Sequence, residues 1–215
     1  MLFPKHASRL LLPPEWSLYR KLRSTNWTTM RVRRRASFTN RQRRHSGASN
    51  PATAFAARHL PVQSRIRVIH AGRALESKWE GNARAEEVAN PRYRWVGEQN
   101  HEAAMQLLAR SRLLVLSSAM EGGASAIAEA VVCGVPILCS DIPGNIGMLG
   151  ADYAGYFRLG DTEQLAHMLE RAENDPDFLG GIQEFVRKLQ PRFAPEQELA
   201  SWDRLLREMG SFTAN

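Results

Sequence analysis

The sequence has only 2 cysteines among its 215 residues, and no apolar run in it is long enough to cross a membrane. Cys133 and Cys139 are too few for a disulfide scaffold or a zinc site, so a reducing cytoplasm is the expected compartment. A membrane helix needs about 18 consecutive apolar residues, whereas the apolar start at Leu10–Leu12 is broken at once by Pro13 and Pro14. The chain is therefore predicted to be soluble and cytoplasmic.

Acidic residues are nearly absent from the first 65 positions, which carry 14 lysines and arginines against Glu15 alone. Residues 66–215 carry 15 basic and 21 acidic side chains, so the formal net charge of +7 describes neither part. Residues 1–53 show no sustained apolar periodicity and are predicted to form a basic, low-order (disordered) arm. Three interpretations of this arm stay open: a solvated extension, a transit peptide and a nucleic-acid-binding tail.

From about residue 54, short apolar runs alternate with helical patterns. The predicted strands are 66–70, 93–96, 113–116, 136–139 and 155–159. The predicted helices are 76–89, 102–109, 124–133, 162–172, 177–189 and 195–208. Nearly all-apolar strands that alternate with helices are typical of a parallel sheet covered on both faces. Residues 54–215 are thus predicted to form one α/β domain, a doubly wound Rossmann-like sheet with a C-terminal helical extension.

The loop after the third predicted strand has the residues that suit an anionic ligand. Gly122 and Gly123 precede a predicted helix, so free N–H groups and the positive end of the helix dipole favour a phosphate or diphosphate. Glu129 lies six residues past Gly123, roughly 9 Å along a helix, where its carboxylate could accept hydrogen bonds from a ribose diol. Glu121, before the helix, could meet hydroxyls of the group that the diphosphate carries. The alternative is a surface helix with ordinary carboxylates.

This segment resembles the C-terminal half of the group 1 retaining glycosyltransferases, which have two Rossmann domains (the GT-B architecture) and the signature Glu, seven residues, Glu. Glu121 and Glu129 have that spacing, and Cys133-Gly134-Val135-Pro136 followed by an apolar strand also matches. The resemblance implies that Glu129 binds the nucleotide ribose and that Glu121 contacts the donor sugar. It also implies that the diphosphate is held by the backbone of residues 123–125, so the predicted substrate-binding residues of this loop are Gly122, Gly123, Ala124 and Ser125.

The same resemblance singles out residues after the first two predicted strands. Members of the family often carry Arg and, five residues later, Lys after the first strand, both reaching the donor diphosphate, and Arg73 and Lys78 have this spacing. Cations there would neutralise the charge of a departing UDP, although two solvated side chains are the alternative. Glu98, after Gly97, is expected at the nucleobase edge of the site. His70 and His101 are expected in core or capping roles.

A closer resemblance is to the bacterial selenosugar synthases of the selenoneine pathway. It rests on the segments 90–98, 109–118, 120–124 and 141–144 and extends from about residue 54 to the end of the chain. It implies transfer of a sugar from a UDP-sugar donor to selenophosphate, without a metal or other cofactor. Asp175-Pro176-Asp177 has the spacing of an Asp-x-Asp metal site but falls in a turn between helices, away from the cleft.

No second Rossmann half precedes the first predicted strand, although a glycosyltransferase of this architecture takes its acceptor pocket from that half. Three functions stay open. The first is a glycosyltransferase that works with a separately encoded N-terminal half. The second is a truncated nucleotide-sugar-binding domain without turnover, and the third and weakest is a nucleic-acid-binding protein that uses the basic arm.

Overall fold

The computed structural model describes residues 27–30, 52–72, 77–119 and 125–212, with only the backbone at 27–30, 78–79, 195 and 210–212. The strands are β1 Trp27–Met30, β2 Val68–Ala71, β3 Tyr93–Gly97, β4 Leu114–Leu116, β5 Ile137–Ser140 and β6 Tyr156–Phe157. The helices are α1 Ala52–Arg58, α2 Ser77–Ala89, α3 His101–Ala109, α4 Ser125–Val132, α5 Pro143–Leu149, α6 Thr162–Asn174, α7 Pro176–Leu189 and α8 Pro195–Phe212, with a 3₁₀ turn at Gln190–Phe193.

The chain divides into two compact units. The larger unit, Ser24–Ala194, contains the sheet and helices α1 to α7. The described element of the smaller unit is α8, an amphipathic helix. Its large apolar side chains are exposed: Leu199, Trp202, Leu205, Leu206 and Met209. Among the residues that the structure describes, no helix is long and apolar enough to span a bilayer.

Within the described ranges, six strands form one sheet in the order β3-β2-β1-β4-β5-β6. Strands β2 and β3 pair in parallel, and β4, β5 and β6 also pair in parallel. Strands β4 and β5 are buried along their whole length, as expected for strands covered by helices on both faces. The predicted α/β class, the parallel strand pairs and the C-terminal helical extension are confirmed.

Strand β1 lies within residues 1–53, the segment that the sequence predicts to be a basic arm. Trp27–Met30 runs antiparallel to both β2 and β4 and fills the position between them. Without it, the facing edges of β2 and β4 would leave backbone N–H and C=O groups without partners. Its sequence, Trp-Thr-Thr-Met, is rich in residues that favour strands. Residues 1–26 and 31–51 of the predicted arm lie outside the described residues, and residues 52–53 begin α1.

Local capping signals set the helix starts of the C-terminal part of the larger unit. Asp161 accepts a hydrogen bond from the backbone N–H of Gln164 over 2.8 Å and begins α6. Asp175 accepts one from the N–H of Phe178 over 3.0 Å and begins α7, with Pro176 in its first turn. The N–H of Phe178, followed by Arg171, lowers the pKa of Asp175. Asp175 in the Asp-Pro-Asp segment is therefore a helix cap.

Candidate functional site

Two hydrogen bonds join the carboxyl ends of β2 and β3. The N–H of Gly72 donates to the carbonyl oxygen of Gly97 over 2.7 Å, and Nε1 of Trp95 donates to the carbonyl oxygen of Gly72 over 2.9 Å. Gly97 has a φ of 67°, which a side chain would disfavour. These bonds fix the point from which the chain continues to Arg73. Arg73 itself, and the side chain of Lys78, lie outside the described residues.

The turn between β3 and α3 brings Glu98 to the surface. Its side chain is exposed, and the next residue, Gln99, donates through Nε2 to the carbonyl oxygen of Val96 over 2.7 Å. Asn100 then caps α3 by accepting a hydrogen bond from the N–H of Ala103 over 2.8 Å. The cap fixes where the helix begins, and the first helical residue is His101.

Glu129 and His101 meet between α4 and α3. Glu129 is 4% exposed. Its Oε1 lies 3.9 Å from Nδ1 of His101. Since α3 begins after the carboxyl end of β3, the contact directs Glu129 toward the carboxyl edge of the sheet.

Burial, reinforced by the charge of Glu129, raises the pKa of the Cys133 thiol to about 12, so this thiol stays protonated and inert at neutral pH.

The predicted diphosphate loop falls between two described elements. Glu121, Gly122, Gly123 and Ala124 lie outside the described residues. On one side, β4 ends at Leu116; on the other, α4 begins at Ser125, whose Oγ is buried and has no hydrogen-bond partner within the described ranges. The loop therefore connects the carboxyl end of a central strand to a helix N-terminus, the setting in which α/β sheets bind ligands.

A buried polar group at the ends of β4 and β5 was not anticipated from the sequence. Oγ of Ser140 donates to the carbonyl oxygen of Ser118 over 2.6 Å. Nδ2 of Asn145 donates to the carbonyl oxygen of Ser140 over 2.9 Å. Ser118, Ser140 and Asn145 are all at most 1% exposed. Ser118 shortly after the apolar β4 and Ser140 at the end of β5 are the sequence signal for this group, whereas Asn145 on α5 has no such signal.

His70 lies in β2 near the same edge, and its side chain is partly buried. Its Nδ1 and Oη of Tyr93 form a hydrogen bond of 2.6 Å, and burial lowers the pKa of the imidazole to about 3. Burial, helped by the charges of Glu86 and Glu87, raises the pKa of the Tyr93 hydroxyl. Both groups are therefore neutral at pH 7. An efficient acid–base catalyst has a pKa near the working pH, so His70 is poorly suited to proton transfer at pH 7.

The family described as "Glycosyl transferases group 1" has a sequence profile that matches residues 36–189, well over half of the chain. The chain belongs to the group 1 glycosyltransferases. The match includes the predicted Glu121 and Glu129 pair, the segment around Arg73 and all of the larger unit from α1 to α7.

Solved structures share the fold of this group 1 glycosyltransferase chain at low sequence identity. HepE from Anabaena, in complex with UDP and glucose, is 18% identical with a TM-score of 0.61, over 80% of this chain and 47% of its own. A variant of TarM from S. aureus, in complex with fondaparinux, alpha-GlcNAc-glycerol and UDP, is 14% identical with a TM-score of 0.56, over 72% and 31%.

AviGT4, a glycosyltransferase involved in avilamycin A biosynthesis, is 21% identical with a TM-score of 0.50, over 79% of this chain and 51% of its own. The group 1 glycosyltransferase chain thus spans about half the length of HepE and AviGT4, and less of TarM.

The structure brings several predicted site residues of the group 1 glycosyltransferase chain to one edge of the sheet. Glu98 follows β3, Ser125 begins α4, and Glu129 faces the start of α3. This edge combines a helix N-terminus with a buried carboxylate, which together can take an anionic group and a neighbouring diol. His101 also lies at this edge, although the sequence did not assign it to the site.

Proposed function

We propose that this chain binds a UDP-sugar at the carboxyl edge of its sheet and transfers the sugar to an acceptor. The observation that carries the proposal is the position of Glu129. It is a buried carboxylate on the helix that follows the glycine-rich loop, and it lies 3.9 Å from the first residue of α3. HepE and TarM, which share the fold, each have UDP in their complexes.

In the proposed mechanism, Glu129 accepts hydrogen bonds from the ribose hydroxyls, and Glu121 orients the donor sugar. Backbone N–H groups of residues 123–125, together with Arg73 and Lys78, hold the diphosphate. Glu98 lies at the nucleobase edge. The bond between the anomeric carbon and the diphosphate oxygen breaks, and its electron pair leaves with UDP. Fixed dipoles and cations stabilise that charge, so the proposal requires no metal or other cofactor.

The proposed acceptor is selenophosphate, which would give a selenosugar for selenoneine biosynthesis. The basis is the resemblance of segments 90–98, 109–118, 120–124 and 141–144 to selenosugar synthases. Selenium supplies the electron pair for the new bond to the anomeric carbon as UDP departs. A selenium nucleophile of this kind is already anionic, so little would be required of a general base.

A second candidate function is nucleotide-sugar binding without turnover by the isolated chain. It is favoured by the 47% and 51% of the HepE and AviGT4 chains that this chain spans. Under this candidate, the acceptor groups come from a separately encoded N-terminal half, and sugar transfer requires both parts. UDP binding is common to the two candidates, whereas turnover by the purified chain distinguishes them.

Calorimetric titration of the full chain with UDP tests the shared step. Glu129→Gln should weaken UDP binding at least tenfold, because a hydrogen bond to a charged group contributes about 1.5–3 kcal/mol. Glu170→Gln is the matched control, since Glu170 is 41% exposed on α6. Equal affinity of the Glu129→Gln variant and the native chain would contradict the ribose role.

Release of UDP from UDP-N-acetylglucosamine in the presence of selenophosphate tests turnover. Product formation that requires selenophosphate supports the transferase and its acceptor. UDP binding without product supports the second candidate, and product with other acceptors alone contradicts the selenosugar role. Cytoplasmic localisation remains part of the proposal and is tested by cell fractionation.

A further inference from the structure

His101 occupies a fixed place beside the buried carboxylate of Glu129. The cap made by Asn100 sets the first turn of α3, and His101 is the first residue of that turn. The His101 side chain is 26% exposed, while that of Glu129 is 5% exposed. Nδ1 of His101 is itself buried and has no hydrogen-bond partner within the described ranges. The imidazole edge that faces Glu129 is therefore shielded from water.

The separation of 3.9 Å between Nδ1 and Oε1 is about 1 Å longer than a normal N–H···O hydrogen bond. Contacts of this kind are often long in a ligand-free site and shorten when substrate binds. Nδ1 of His101 is buried without a hydrogen-bond partner within the described ranges, and a buried polar atom is costly until it is paired. A shorter contact with Oε1 would pair it, and an imidazole with hydrogen on Nδ1 has the donor that this contact requires.

We propose that His101 is a positioning residue, which holds one oxygen of Glu129 so that the carboxylate meets the ribose diol in a single orientation. This inference rests on the proposed function, because it requires Glu129 to bind ribose. A carboxylate fixed on one side presents its remaining lone pairs in a defined direction, so both hydroxyls of the diol can be recognised together. A carboxylate that turns freely accepts one hydroxyl nearly as well as two.

The proposal is tested by the preference for UDP over 2′-deoxy-UDP, measured by calorimetry on the full chain. The native chain should prefer UDP about tenfold, and His101→Leu should reduce this preference to about twofold. His101→Asn should restore most of it, because the amide nitrogen of Asn lies close to where Nδ1 would be. A residue needed only for packing would lower thermal stability but leave the preference unchanged.

His167→Leu is the matched control. His167 also lies beside a glutamate, with Nδ1 4.0 Å from Oε2 of Glu170, but its side chain is 87% exposed on α6. This variant should leave the preference unchanged. If His101→Leu does not fold, His101→Phe keeps an aromatic ring without the donor and gives the same comparison.

The outcomes separate this inference from the proposed function. If Glu129→Gln removes the preference and His101→Leu does not, the positioning role is overturned while the ribose role of Glu129 stands. If the native chain does not bind UDP, or if Glu129→Gln changes nothing, both proposals are overturned. If Glu129→Gln and His101→Leu lose the preference and His101→Asn regains it, the positioning role is supported.

Discussion

The indole nitrogen of Trp95 donates a hydrogen bond to the carbonyl oxygen of Gly72 over 2.9 Å. Trp95 lies in β3, and Gly72 directly follows β2, so the bond joins two neighbouring strand ends at the carboxyl edge of the sheet. The guanidinium of Arg84 covers the same ring at 4.8 Å. The backbone that leads into the predicted diphosphate ligand Arg73 is thus anchored by a buried side chain.

Trp95→Phe should lower the free energy of unfolding by about 1–3 kcal/mol, because it leaves the Gly72 carbonyl without its donor. It should also weaken UDP binding, since the segment at Arg73 would lose its anchor. Urea unfolding and calorimetry measure the two effects. Trp202→Phe is the control, because Trp202 is 56% exposed on α8. An equal loss of stability in both variants would argue against the anchor.

Gly155 and Gly180 should respond to alanine in opposite directions. A methyl group on Gly155 would overlap the carbonyl oxygen of Ile137 and lie 2.6 Å from Cε1 of Tyr153, so Gly155→Ala should cost about 1–3 kcal/mol. Gly180 is in the interior of α7 with nothing within 4 Å of the added carbon. Gly180→Ala should therefore stabilise by about 0.5–1 kcal/mol. Thermal unfolding of the two variants is the measurement, and a Gly155→Ala variant at least as stable as the native chain would contradict the packing at Gly155.

Much of the sheet could be predicted because its strands have a local signal. Leu114–Leu116 and Ile137–Ser140 are nearly continuous apolar runs, and Asp161 marks the start of a helix that the structure confirms. Strand β1 could not be predicted, because Trp27–Met30 lies next to an arginine-rich stretch without periodicity. Its pairing depends on the open edges of β2 and β4, which are formed by residues far away in the sequence.

The residues of the candidate site also differ in whether a local sequence signal marks them. The distance of Glu129 from the glycine pair follows from helical rise alone, so the sequence could single it out. His101 was expected to have a core or capping role, because nothing local shows that α3 packs against α4. Its neighbour across that interface is 28 positions away in the sequence. The bond between Ser140 and Ser118 likewise joins residues 22 positions apart in the sequence.

The ion pair between Arg58 and Glu86 should contribute more to the free energy of unfolding than an exposed surface ion pair does. Nη2 of Arg58 lies 2.6 Å from Oε2 of Glu86, whose side chain is 3% exposed, and Nδ2 of Asn90 donates to Oε1 over 3.0 Å. Glu86→Ala would leave Nε and Nη2 of Arg58 without their acceptors and Nδ2 of Asn90 with only the carbonyl oxygen of Ala54, and it should cost about 2–4 kcal/mol. The exposed pair of Arg207 and Asp203 is the comparison.

Asp203→Ala, at that exposed pair, should change stability by at most about 1 kcal/mol. Urea unfolding curves of Glu86→Ala and Asp203→Ala give the difference directly. If the two variants lose the same free energy, the partly buried pair of Arg58 and Glu86 does not hold α1 to α2 as its geometry indicates.

His70 should make the chain less stable in mild acid. Burial lowers the pKa of its imidazole from 6.5 to about 3, so between these values the unfolded chain binds a proton that the folded chain does not. Stability from this group is present above pH 6.5 and is lost as the pH falls toward 3. For one such histidine, the loss between pH 7 and pH 5 is about 2 kcal/mol.

The variant His70→Gln keeps a polar partner for the Tyr93 hydroxyl and cannot titrate in this range, so its stability should fall about 2 kcal/mol less than that of the native chain. Urea unfolding followed by tryptophan fluorescence at pH 7 and pH 5 measures both. His167→Gln, at a side chain that is 87% exposed, should show the native pH dependence. If His70→Gln and the native chain lose stability equally on acidification, water reaches the imidazole of His70 in the folded state, and the neutral pairing with Tyr93 is wrong.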